Sequence, residues 1–158
     1  MEEYFSITNK TKIKLPDLSF LSMKDDILGK KYSLSLVFVG EKFSREVNKK
    51  YRDKDKSTNV LSFPFSKTAG EILLCPALVV RESKDKNKNF GKNFEELLGF
   101  LVIHGMLHLK GMSHSSRMSK AEKFYCKKYD KEYFNRNRRG HIHDQSRGGR
   151  VSKRRKKS

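Results

Sequence analysis

The chain has 158 residues, the size of one ordinary domain and long enough to bury a core without disulfide staples. Apolar residues make up only 35% against 34% charged, so the core must come from a few segments, and no apolar run approaches the ~20 residues of a membrane span. The formal net charge of +18 draws the chain to polyanions, nucleic acid first and anionic membrane second, unless it is only a lysine-rich solvated surface.

In chain order, Met1-Glu2-Glu3 is acidic, the reverse of a secretory leader. Tyr4 to Ile7 reads as a short edge strand. Pro16 and Asp17 precede Leu18, Leu21, Ile27 and Leu28, a helix that ends at Gly29. Tyr32 to Val39 alternates and then turns continuously apolar, as a strand does on entering a core. Glu41 to Tyr51 is a second helix with Phe43, Val47 and Tyr51 on one side. After the polar stretch Arg52 to Ser57 come two strands, Val60 to Phe65 and Glu71 to Cys75, the first marked by Pro64 as an edge or an ending. Pro76 opens a third helix with Leu78 and Val79 inward.

Asn93 caps the next helix, with Glu95 and Glu96 in its first turn. Phe94, Leu97, Leu98, Leu101, Val102 and Met106 recur at helical spacing, making this the most apolar segment and the central one, ending near Gly111. Ser116 or Ser119 starts a last helix that runs to about Asn135. Its Tyr125, Tyr129, Tyr133 and Phe134 interleave with lysines; their spacing favours a packed face over base stacking. Cys75 and Cys126 have no paired-motif spacing and read as reduced thiols of a cytoplasmic protein. Strands and helices mix without strict βαβ alternation, so the class is α+β, one small domain over residues 1–135. Arg136 to Ser158 carries ten Lys/Arg and one acid, a net +9 that leaves the body basic in its own right. Its only aliphatics are Ile142 and Val151, and it reads as a disordered basic tail, either a nucleic-acid arm or a solvated charge run.

The segment from His104 to His114 carries most of the chemistry. His104 and His108, four apart on a helix, share one face, and Gly111 lets the chain turn back to bring His114 to the same point. Three neutral imidazoles suit Zn²⁺ and leave a fourth position open, the mark of a catalytic site; Fe or Ni could also occupy such a set. His141 and His143 fall in the tail and read as solvated. The 4-then-6 histidine spacing also fits metzincin peptidases, but the general-base glutamate that follows their first histidine is here Gly105. No phosphate-binding loop, dinucleotide fingerprint or nucleophile elbow is present.

His104-Gly-x-Leu-His108-Leu-x-Gly111-x-x-His114 resembles the signature of the YbeY endoribonucleases. Two further segments resemble the same family, in its order: Asn48-x-x-Tyr51-Arg52-x-x-Asp55-x-x-Thr58-Asn59-Val60-Leu61-Ser62-Phe63-Pro64, and Gly70-Glu71-Ile72. The resemblance implies a small mixed sheet with surrounding helices and one zinc on His104, His108 and His114. It further implies single-strand endoribonuclease activity in 16S rRNA 3′-end maturation and ribosome quality control, with rRNA and the ribosome as partners and neither membrane nor DNA. Arg52 matches the family arginine that faces the metal cleft. As a catalytic residue with the three histidines it would stabilise phosphate charge, unless it pairs with Asp55 or Glu71. Ser113 and Asn59 stand where the family has aspartates, each a lost carboxylate. A non-catalytic, zinc-ordered RNA-binding assembly factor is the alternative reading.

Overall fold

The β-branched and aromatic runs pair into one four-stranded sheet in a computed structural model that describes the backbone of residues 4–140 and side chains through residue 130. The strands are β1 (Phe5–Asn9), β2 (Ser33–Phe38), β3 (Val60–Ser66) and β4 (Ala69–Leu74), in spatial order β1-β2-β4-β3. β1 and β2 are parallel, as are β2 and β4, while β3 and β4 form an antiparallel hairpin. The sheet is therefore mixed, and the domain is α+β, as the sequence implies. Pro64 sits on the outer strand β3, where the register shifts before Ser66, so its missing N–H breaks no interior ladder.

Strand alternation sends Leu34, Leu36, Phe38, Ile72 and Leu74 to one face, where each is at most 2% exposed. That face is covered by α4 (Phe94–Leu109), the central helix, which also packs against α1 (Phe20–Ile27), α3 (Pro76–Ser83) and α5 (Ser116–Gly140). Leu98, Val102, Met106 and Leu107 of α4 are fully buried, each contributing about 1.5–3 kcal/mol through burial of its side chain. The Asn93 side chain accepts from the Glu96 N–H while the Glu96 carboxylate accepts from the Asn93 N–H, a reciprocal cap that fixes where α4 begins. Pro76 occupies the first turn of α3. α1 ends at Gly29, whose φ of 98° a side chain would strain. The buried Lys24 donates to the Gly29 and Lys30 carbonyls just beyond that end.

Two expectations are revised. Of the residues that suggested α1, Leu18 and Ile27 are buried, but Leu21 is 51% exposed, and Phe20 and Met23 complete the buried stripe. α2 (Glu41–Arg52) is the expected helix with Phe43, Val47 and Tyr51 on one side; Phe43 and Tyr51 are exposed there, and the buried residues are Ser44 and Asn48. These two hold a loop rather than a core. Ser44 Oγ donates to the Thr58 carbonyl at 2.7 Å and accepts from its N–H, and Asn48 Nδ2 donates to the Lys56 carbonyl at 2.8 Å. Finally, α5 runs on to Gly140 rather than stopping near Asn135, so the first residues of the segment read as a tail are helical. The remainder of that segment, with His141 and His143, lies outside the described residues. Within α5, Tyr129 is buried and Tyr125 packs against the core, the packed face its spacing favours; the side chains of Tyr133 and Phe134 lie outside the described residues.

Candidate metal centre

α4 supplies two histidines on one face, one turn apart. The His104 and His108 rings stand 4.4 Å apart at 88°, with their Nε2 atoms 3.0 Å from each other. Gly111, at φ 102°, turns the chain back after α4, and the His114 ring comes to 5.2 Å from His104 and 4.8 Å from His108. One ligand atom from each of the three lies within 4.8 Å of the others, close enough to hold a metal ion.

The outer nitrogens decide which atoms face inward. His104 Nδ1 lies 2.8 Å from the Glu122 carboxylate of α5, and His108 Nδ1 lies 3.0 Å from the Met112 carbonyl. A carbonyl and a carboxylate can only accept, so both Nδ1 atoms carry a proton, and in the neutral rings both Nε2 atoms present lone pairs. Two lone pairs at 3.0 Å repel unless a proton or a cation lies between them. Nitrogens on one tetrahedral zinc stand about 3.3 Å apart at bond lengths of 2.0–2.1 Å. The donor set and its spacing therefore fit a divalent ion. Burial first, and the neighbouring His104 second, hold His108 below the ordinary histidine value, which keeps it in the neutral, ligating form.

The three histidines open onto a cleft of about 740 Å³ walled by Tyr51, Arg52 and residues 58–63. Arg52 is the last residue of α2 and is exposed. Asp55, the partner considered for it, is held instead by Arg45 at 2.7 Å, and among the described residues no carboxylate forms an ion pair with Arg52. The loop wall is fixed by the Ser44 and Asn48 bonds described above, which gives the asparagine of the second sequence segment a physical task. Asn59 donates to the Glu82 carboxylate at 2.9 Å, and Ser113 is exposed beside His114.

Gly105, between the two helical histidines, is required by packing. A Cβ there would stand 3.0 Å from Ile72 Cδ1 and from Ser62 Oγ, and Ser62 Oγ donates to the Gly105 carbonyl at 3.1 Å. The position where a peptidase carries its base thus faces the sheet, not the cleft. The cysteines take no part: both are buried and free, and burial pushes Cys126 up to about 12.

Sequence reasoning did not find Glu122. It is 18 residues from His104 and 8 from His114, on a different helix, and nothing in its neighbours marks it. The general rule that a ligating histidine ties its other nitrogen to a carboxylate would have sent the search to the Asp and Glu residues of α5.

The chain is thus a small α+β domain with a mixed sheet and, in a cleft at its β3 edge, three histidines close enough to hold a metal ion. A family model, Endoribonuclease YbeY, matches residues 6–136. Endoribonuclease YbeY proteins of Staphylococcus aureus strains JH9 and Newman are each 31% identical over 125 residues, covering 70% of this chain and 78% of theirs. The solution structure of TM1509 from Thermotoga maritima matches with a TM-score of 0.61 at 28% identity, over 84% of this chain and 93% of that one. The chain belongs to the YbeY endoribonuclease family, and so is a nuclease whose substrate is RNA.

Proposed function

We propose that the chain is a zinc-dependent, single-strand-specific endoribonuclease of the cytoplasm, acting on the 3′ end of 16S rRNA and in ribosome quality control. The observation that supports it most is the pair of tied Nδ1 atoms, which leaves two Nε2 lone pairs converging with His114 beside Arg52 in one cleft. Bound by His104, His108 and His114, zinc would supply a Lewis acid for a phosphoryl oxygen and a low-pKa water at neutral pH. His104, His108 and His114 would hold the ion as neutral imidazoles, and the Glu122 carboxylate and the Met112 carbonyl fix the Nδ1–H tautomer of the first two. Arg52, with no carboxylate paired to it among the described residues, sets a planar, permanently charged fork against the phosphate as charge develops there. The lysines of the body and tail grip phosphate without reading sequence. No helix of the described residues is long and apolar enough to cross a membrane.

Two observations favour a second reading, a zinc-ordered RNA-binding assembly factor. Asn59 spends its amide on Glu82, and Ser113 brings no carboxylate beside His114. The two readings separate in one assay: cleavage of a labelled single strand carrying the 16S 3′ region by zinc-loaded chain, beside His108→Ala purified identically. Cleavage by the unsubstituted chain alone supports the nuclease. No cleavage by either, with RNA still bound, moves the conclusion to the assembly factor.

A further inference from the structure

The sheet has two faces. α4 covers the Leu36 and Ile72 side; on the opposite side, among the described residues, Val37, Leu73 and Phe63 line an open depression together with Phe43, Val47 and Tyr51 of α2. A depression of about 590 Å³ lies there, and its aromatic rings stand in solvent: Phe43 is 46%, Tyr51 61% and Phe65 67% exposed. Large apolar side chains gathered in one exposed patch mark a binding surface.

We propose that this open sheet face is a base-stacking platform for single-stranded RNA, along which the strand reaches the three-histidine cleft. The inference rests on the nuclease reading for its direction and goes beyond it in assigning the binding surface. Three features select RNA as the occupant. Tyr51 and Phe63 line both the platform and the cleft, their rings 5.3 Å apart in an edge contact, so the two surfaces are continuous around the β3 edge. Lysines accompany the rings: Lys10 Nζ lies 5.9 Å from the Phe43 centroid and Lys50 Nζ 5.3 Å from that of Tyr51. Rings for base faces with cations for the backbone between them are what sequence-tolerant single-strand binding requires. The one carboxylate lining the depression, Glu71, sits opposite Phe63 in the β3–β4 register, where it can accept from base amino groups. A protein partner would use the apolar rings but gives no reason for lysines set over them on a surface that continues into the phosphate cleft.

The test uses the full metal-loaded chain and an RNA of about ten nucleotides with a fluorescent purine analogue, read by stopped flow before turnover, in about 200 mM salt to weaken purely electrostatic binding. Stacking quenches the analogue. The Phe43→Ser/Phe65→Ser double variant should bind at least about tenfold more weakly with the quench largely lost. Phe43→Leu/Phe65→Leu keeps the apolar bulk and should lose the quench as well. Neither should change the salt slope, since no phosphate contact is removed. Quench and affinity equal to the unsubstituted chain in both double variants would overturn the platform and leave the face to a protein partner. Binding by the unsubstituted chain with no quench would overturn it too. Quenching without any later cleavage would uphold the platform while removing the nuclease reading, so the two fail separately.

Discussion

Glu122 links α5 to the candidate metal centre, and its removal gives a graded prediction. Its carboxylate meets His104 Nδ1 at 2.8 Å, with the two side chains only 14% and 18% exposed, so water replaces it poorly. A hydrogen bond to a charged group in such a setting contributes about 1.5–3 kcal/mol, which corresponds to roughly 10–100-fold in metal affinity when it acts by holding a ligand. Glu122→Gln keeps an acceptor oxygen and the shape but loses the charge, and should weaken zinc binding by about tenfold. Glu122→Ala also frees the ring to rotate and should approach a hundredfold. Titrating zinc against a chelator of known affinity reads both. Unaltered zinc affinity in Glu122→Ala would refute the reasoning, for then His104 would need no orienting partner.

Other consequences follow from packing and protonation. Gly105→Ala forces a Cβ to 3.0 Å from Ile72 and Ser62 and should cost about 1–3 kcal/mol in denaturant unfolding; an unchanged midpoint would mean α4 can lift off the sheet freely. Tyr129→Phe removes the hydroxyl whose one proton is shared between Asp26 at 2.9 Å and the Ser22 carbonyl at 3.1 Å, tying α5 to α1, and should cost about 1 kcal/mol in the same measurement. His108 is held below 6.5, so the unfolded chain takes up a proton the folded chain refuses. Stability of the metal-free protein should fall as pH drops from 6.5 toward the folded value of His108, and His108→Gln should flatten that segment. Asp26 titrates lower still: the hydrogen bond from Lys128 holds it below 3.8, so its contribution is present above 3.8 and lost as pH falls through its folded value. The acid limb should therefore survive His108→Gln, and its disappearance would contradict the assignment.

Much of the arrangement was legible because it is local. The i, i+4 histidines, the Gly111 turn and the Asn93 cap are short-range features, and each has one physical solution that the structure adopts. The sheet partners were less legible, since strand order depends on which hydrophobic faces meet across long separations. In α2 the apolar side of Phe43, Val47 and Tyr51 was legible from helical periodicity, but the buried positions were not: they are the polar Ser44 and Asn48, hydrogen-bonded to the carbonyls and N–H of the cleft loop. The apolar side was left for the open sheet face. Glu122 was invisible for the complementary reason, that its partner is made by helix packing and not by sequence neighbourhood.

The proposed function requires that RNA cleavage run on a single ion held by His104, His108 and His114. The direct measurement is to strip the full chain of metal, add zinc in steps, and follow cleavage of a labelled single-stranded RNA beside His114→Ala carried through the same steps. Activity should rise to a plateau at one zinc per chain, with His114→Ala showing neither the rise nor the plateau. Cleavage by the stripped chain, or an equal rise in His114→Ala, would contradict it.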